Sequence, residues 1–213
     1  MNQRKKILFL LFGFIIVNLI TILPAPNIVK ASTANNVWSS ASFPVERFQA
    51  YTSPFGYRRS SNSSGWEFHN GLDIAAPQGS YIRNWWEGTV IKVGDRGACG
   101  THIVVQSGSW KHSYCHMQGK IEQSNGRLYM IDRAGGIQIV QGQQIPAGAR
   151  IGRIGMTGRT TGPHLHWVLR YGDNYVDPAQ VLKAMFSQQP LTNTSTNWSS
   201  QQSQIEQSII NEQ

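Results

Sequence analysis

Charge is scarce in this chain. Only 14% of its residues are charged, and Asp and Glu together number 11 against 19 Lys and Arg. Nowhere in the body do Lys and Arg cluster with interleaved aromatics, so nucleic acid is excluded as the partner. A sustained helical period is also missing between residues 43 and 175, which excludes a helical bundle. No internal repeat is present, which excludes a solenoid. Cysteine occurs twice, at Cys99 and Cys115, and an even count in an exported chain implies a disulfide. Long hydrophobic runs are equally rare: there is one, ILFLLFGFIIVNLITIL at residues 7–23.

That run explains part of the charge. It follows the basic stretch MNQRKK and precedes PAPNIVKAS, where Val29 and Ala31 satisfy the small-residue rule for signal peptidase. Residues 1–31 are therefore expected to be a cleaved signal peptide, with a mature N-terminus near Ser32; a retained membrane anchor is the rival reading. Cleavage removes Arg4, Lys5, Lys6 and Lys30, so the formal +8 falls to 15 basic against 11 acidic residues. So mild a balance favours polyanionic envelope polymers and a secreted or periplasmic location, with no stable membrane insertion once the signal is cleaved. Residues 32–42 form a polar linker. A single domain spans 43–186, expected to be a monomer. The tail 187–213 is rich in Ser, Gln, Asn and Thr, lacks Lys and Arg, and is expected to be disordered.

Between 43 and 175 the texture is of short apolar runs broken by glycine. WEGTVIKVG, THIVVQ, SWKHSYCHM, RLYMID, IQIVQ, ARIGRIG and HLHWVLR each read as strands. GQQIPAGARIGRIGMTG reads as a strand–turn–strand corner. DPAQVLKAMF (177–186) is the one helix, with Asp177 as N-cap and Pro178 at the first helical position. THIVVQ and WKHSYCHM form a hairpin closed by Ser107, Gly108 and Ser109. Pairing Gln106 with Trp110 then sets Thr101 opposite Cys115, with Cys99 one diagonal away and within reach of a disulfide.

The chemistry concentrates in histidine. In TTGPHLHWV, His164 and His166 stand two apart on a strand and so face the same way. In EFHNGLDIAAP, His69 precedes Asp73 by four residues, with Gly71 between them allowing a bend. His116 ends the strand of KHSYCHM. The set offers His, Asp and His as ligands with histidine to spare. Three protein ligands plus an open position is the catalytic zinc arrangement, and neutral N and O donors suit zinc better than calcium or magnesium. His102 and His112 read as strand-surface residues rather than ligands. Trp85, Trp86 and Trp110 read as core or rim packing, and Arg58 as a loop brace.

YTSPFGYR, FHNGLDIAAPQGS, the Tyr-x-His of YCHM, IPAGARIGRIGMTGRTTGPHLHW and VDP, in this order over roughly residues 45–185, resemble the M23 family of zinc metallopeptidases, the lysostaphin-type peptidoglycan endopeptidases. The resemblance implies an all-β, mostly antiparallel fold with a groove on one face, binding Zn2+ and cutting peptide bonds in cell-wall peptides. Carried over by residue, it implies that His69, Asp73 and His166 hold the metal and that His116 and His164 are catalytic. The chain has no His-Glu-x-x-His motif to supply a glutamate base, so the two histidines divide the work of general base and of oxyanion or leaving-group stabiliser. The alternative is a non-catalytic peptidoglycan-binding module or activator of another wall hydrolase. Two departures from the family pattern stand out. Val168 occupies a position that is usually acidic, and IEQSNGRLYMIDRAGGIQIVQ (121–141) is a longer link than usual, a hairpin-like segment placed to flank the groove.

Overall fold

The strand His164–Tyr171 sets the plan of the molecule. Leu165, Trp167 and Leu169 are completely buried on one face, while His164 and His166 point from the other. One face builds a core and the opposite face builds a site. The computed structural model describes residues 38, 40–60 and 64–188. The signal peptide expected at 1–31 lies outside the described residues, as do most of the linker and the tail beyond 188.

The strands in chain order are β1 (Ala50–Ser53), β2 (Gly56–Arg59), β3 (Trp66–His69), β4 (Leu72–Ala75), β5 (Tyr81–Arg83), β6 (Gly88–Gly94), β7 (His102–Ser107), β8 (Trp110–Cys115), β9 (Lys120–Ser124), β10 (Arg127–Asp132), β11 (Ile137–Val140), β12 (Gln144–Ile145), β13 (Arg150–Arg153), β14 (His164–Tyr171) and β15 (Asn174–Val176), followed by helix α1 (Pro178–Gln188). The principal sheet runs β1-β4-β14-β8-β7-β6-β12, with β15 added against β14. Every pairing in it is antiparallel. Smaller sheets pair β13 with β5, β2 with β3, and β11-β10-β9. The fold is thus mostly antiparallel β with one α-helix among the described residues.

Beneath the sheet, Trp85, Trp167, Tyr114, Ile103, Leu165 and Ile151 are fully buried. Trp85 and Trp167 meet edge to face at 5.7 Å, a favoured aromatic geometry. Helix α1 adds Val181, Leu182 and Met185 to the same core. Its start follows the sequence reading: the Asp177 carboxylate accepts from the Ala179 N–H at 2.9 Å. It runs two residues beyond the expected end at 186. Within the stretch expected as a linker, Trp38 packs on the domain, its ring 5.3 Å from that of Trp85.

Three expectations need correction. The β7–β8 loop has two residues, not three: Ser107 pairs with Trp110 and Gln106 with Lys111. Gly108 takes a left-handed φ of 58° while Ser109 does not, the pattern of a type II′ turn that matches strand twist. The Cys99–Cys115 disulfide forms nonetheless, with Cα atoms 4.9 Å apart. Cys99 reaches it from the turn before β7, where its carbonyl accepts the His116 N–H at 2.8 Å. Second, segment 121–141 does not line the groove described below. It supplies β10 and β11 and most of β9, and buries Met130, Ile137 and Ile139 in the core. Third, His102 and His112 are buried rather than on the strand surface. His112 Nε2 meets Ser107 Oγ at 2.9 Å and its Nδ1 meets the Tyr114 hydroxyl at 2.8 Å. Burial holds its pKa down to about 3, so the ring is neutral. The His102 ring contacts the Gly100 carbonyl through Nδ1 at 2.8 Å.

Candidate metal centre and groove

An open groove of about 890 Å³ crosses the exposed face of the principal sheet, and all five residues singled out from the sequence line it. Register explains their convergence. His166 lies opposite Asp73 on β4 and opposite Cys115 on β8, so Asp73 shares its face and His116 follows at the strand end. His69 comes from the end of β3 in a different sheet and swings in across Asn70 and Gly71. Gly71 is required for contact rather than bending. A Cβ there would stand 2.6 Å from the Trp167 carbonyl and 2.8 Å from the His166 ring.

His69 Nε2, Asp73 Oδ1 and His166 Nδ1 form a triangle with edges of 3.1, 2.8 and 3.0 Å. The outer nitrogens decide what these contacts mean. His69 Nδ1 lies 2.6 Å from the Pro54 carbonyl, which only accepts, so the ring proton is there and Nε2 carries a lone pair. His166 Nε2 lies 3.1 Å from Asn70 Oδ1, so its inner Nδ1 likewise carries a lone pair. Three acceptors face one another with no proton among them, an arrangement that calls for a cation. Zinc bonds of about 2.0–2.1 Å in tetrahedral geometry place ligand atoms about 3.3 Å apart, so the donor set fits zinc in both chemistry and spacing. Among the described residues it is the one group of His, Cys, Asp and Glu arranged to hold a metal. Burial lowers the pKa of His166. A fourth side chain stands just outside: Arg58 Nη1 is 3.7 Å from Asp73 Oδ2, and it is braced on Glu67 at 2.9 Å and on Ser53.

The two remaining histidines flank the triangle. Their rings are 4.9 Å apart, and His164 Nε2 is 3.5 Å from Asp73 Oδ1. His164 shares its Nδ1 proton between the Gly162 carbonyl at 2.9 Å and Thr160 Oγ1 at 3.2 Å. His116 donates Nδ1–H to the Thr157 carbonyl at 2.8 Å. Both therefore carry their lone pair on Nε2. His116 has φ of 60°, a conformation costly for a residue with a side chain. It is pinned by its N–H on Cys99 and its carbonyl on the Gly155 N–H at 2.9 Å. Burial pushes its pKa to about 4, so it is neutral at neutral pH. Sequence reasoning missed the outer partners Pro54, Asn70, Thr157, Thr160 and Gly162. Asn70 sits beside His69 in FHNG, a usable signal; the backbone carbonyls left none.

A fold with a His-Asp-His cluster in an open groove defines a metallopeptidase-like class. The model of Peptidase family M23 matches residues 67–126 and 120–178, more than half of the chain, and the protein belongs to that family. Over 130 residues it is 33% identical to the DD-carboxypeptidase/endopeptidase Mpg of Neisseria meningitidis serogroup B, a match covering 61% of this chain and 26% of Mpg. It is 32% identical over 102 residues to the peptidoglycan DD-endopeptidase ShyA of Vibrio cholerae, covering 47% of this chain and 20% of ShyA. The chain thus spans about a quarter or less of these curated relatives. Among solved structures, a zinc-containing peptidase from Vibrio cholerae superposes with a TM-score of 0.50 at 28% identity, covering 70% of this chain and 40% of that one.

Proposed function

We propose that this chain is an exported zinc-dependent endopeptidase that hydrolyses peptide bonds in the cross-links or stem peptides of peptidoglycan. The observation that carries the reading is the triangle of lone-pair donors His69, Asp73 and His166, set beside two further imidazoles with free Nε2 atoms in one groove. The peptidoglycan substrate is drawn from the similarity to ShyA, and zinc from the donor chemistry and the similarity to a zinc-containing peptidase. Export rests on the reading of residues 1–31. The proposed domain limits are those read from the sequence, with 43–186 as the peptidase domain.

Zinc held by these three residues supplies a Lewis acid that polarises a carbonyl and makes water nucleophilic near neutral pH. His116 and His164 do the rest. One imidazole accepts a proton from the attacking water on its bare Nε2, and a histidine of the pair donates to the developing oxyanion or the departing amine only once its own Nε2 has taken up a proton. The Thr157 and Gly162 carbonyls fix which nitrogen of each ring faces the substrate. Asn70 and Pro54 hold the ligand rings from outside, as partners of metal-bound histidines do.

Digestion of purified sacculi tests the reading. New amino termini, abolished by a chelator and restored by zinc, are the expected result, with mass spectrometry of the muropeptides identifying the bond. Binding to sacculi without new termini would instead establish the non-catalytic alternative.

A further inference from the structure

The cations of the groove are not equivalent. Arg58 is engaged by Glu67. Arg170 donates to the Asp173 carbonyl at 2.6 Å and lies 4.9 Å from the Tyr175 ring. Lys92, Arg96 and Arg159 line the same groove and are exposed. Among the described residues, none of the three has an ion pair or a side-chain hydrogen bond. Three cations that line one groove without an ion pair gain by meeting an anion there.

Their position is also specific. Lys92 faces the groove on β6, in the cross-strand row that runs through Val104 and Ser113 to Val168. Arg96 belongs to the loop whose Cys99 carbonyl holds the His116 N–H, and the Arg159 N–H donates to the Ala98 carbonyl of that loop at 2.8 Å. Arg159 lies between Thr157, which holds His116, and Thr160, which meets His164. The unpaired charge therefore lies on the β8 side of the metal centre, with Arg96 and Arg159 in the segments that hold His116 and Lys92 two strands beyond β8.

We propose that Lys92, Arg96 and Arg159 form a carboxylate-recognition subsite, so that the groove selects peptide strands bearing free carboxylates on the β8 side over neutral strands. This rests on the peptidase reading above. Arginine suits the task because its planar fork binds carboxylate in two parallel hydrogen bonds. A strand without carboxylates gains nothing from these residues.

The test uses two synthetic cross-linked stem peptides, one with free carboxylates and one with the same groups amidated. The zinc-loaded wild type is compared with the triple variant Lys92→Gln, Arg96→Gln, Arg159→Gln and with the charge-preserving Arg159→Lys. Exposed charge contacts are each worth up to about fivefold. The triple variant should therefore lose on the order of tenfold or more in kcat/KM for the free-acid peptide, through KM, and less than about twofold for the amidated one. Arg159→Lys should retain most of the preference, and 0.5 M salt should erode it. An equal loss on both peptides, or on neither, overturns the subsite. If the wild type cleaves neither peptide, the peptidase reading fails by itself. Calorimetric binding of the same two peptides then decides the subsite: tighter binding of the free acid that vanishes in the triple variant supports it, and equal affinities overturn it.

Discussion

A histidine ring has two nitrogens, and the one already occupied determines what the other can do. In His69 and His166 the occupied nitrogens face Pro54 and Asn70, leaving lone pairs aimed at Asp73. In His116 and His164 they face backbone carbonyls, leaving lone pairs aimed at the groove. The roles proposed for the two sets predict that they fail differently. Replacing His69, Asp73 or His166 by alanine removes one of three protein ligands, so zinc content and activity should fall together. His116→Ala and His164→Ala should keep zinc near one per chain and lose about 10²–10⁴-fold in rate. Asn70→Ala should weaken zinc binding roughly 10–100-fold while leaving the three ligands in place. Metal analysis beside sacculus digestion reads all of these, and a His164→Ala protein that lost its zinc would make both rings of HLH ligands. Strand period made the shared face of His164 and His166 legible in the sequence, whereas His69, Asp73 and His116 were brought to it by the resemblance to the M23 family, since His69 and Asp73 lie on strands of different sheets. Pro54 and Thr157 were not legible, because they act through backbone carbonyls that every residue has. Nor was the burial of His112, which depends on a hydroxyl network with Ser107 and Tyr114 that no local pattern announces.

At the scale of the element, the β7–β8 hairpin was legible in kind but not in register. A Gly-Ser turn with Gly108 left-handed closes in two residues, and a loop one residue longer shifts every cross-strand pair. The disulfide survived that error because Cys99 lies in a turn, where its position owes nothing to the pairing within the hairpin. Of the three-stranded unit β9–β11, β10 and β11 were legible as strands and β9 was not, and the unit's placement depends on which apolar faces find partners across the core. Cys115 directly precedes His116 and closes a loop of sequence separation 16. In the chain-entropy view a loop of that size contributes about 3 kcal/mol. Reduction should lower the urea midpoint by a corresponding amount. It should also lower activity, since the Cys99 carbonyl and the disulfide both hold the backbone that keeps His116 left-handed. A reduced protein with an unchanged midpoint, or two free thiols in the oxidised, denatured chain, would remove the bond from the account.

For the whole molecule, the buried network beneath Trp85 links the sheet to the segment before β6 and makes stability depend on pH. Tyr114 accepts the backbone N–H of Trp85 at 2.7 Å and donates to Asn84 Oδ1 at 3.2 Å, while His112 bridges Tyr114 and Ser107. His112 is wholly buried and its pKa is held down to about 3 from an ordinary 6.5. Between these values the unfolded chain binds a proton that the folded chain refuses, so stability falls as pH drops through 6.5 and goes on falling towards 3. The slope approaches about 1.4 kcal/mol per pH unit, or roughly 2 kcal/mol between pH 6.5 and 4.5. Asp132 acts in the same direction in a lower window. Arg153, at 2.6 and 2.8 Å, holds its carboxyl below the usual range, so its contribution is present above the ordinary carboxylate pKa and is lost only as pH falls through the depressed one. The two are therefore separable. His112→Gln keeps a donor and an acceptor at the site but cannot titrate. Measured by urea unfolding at matched zinc, the difference between wild type and His112→Gln should change by roughly 2 kcal/mol from pH 6.5 to 4.5, with the variant losing less. Subtracting the curves cancels the contributions of the site histidines, which are common to both proteins. Parallel curves over that window would mean that His112 is protonated in the folded chain, and the neutral buried network would have to be abandoned.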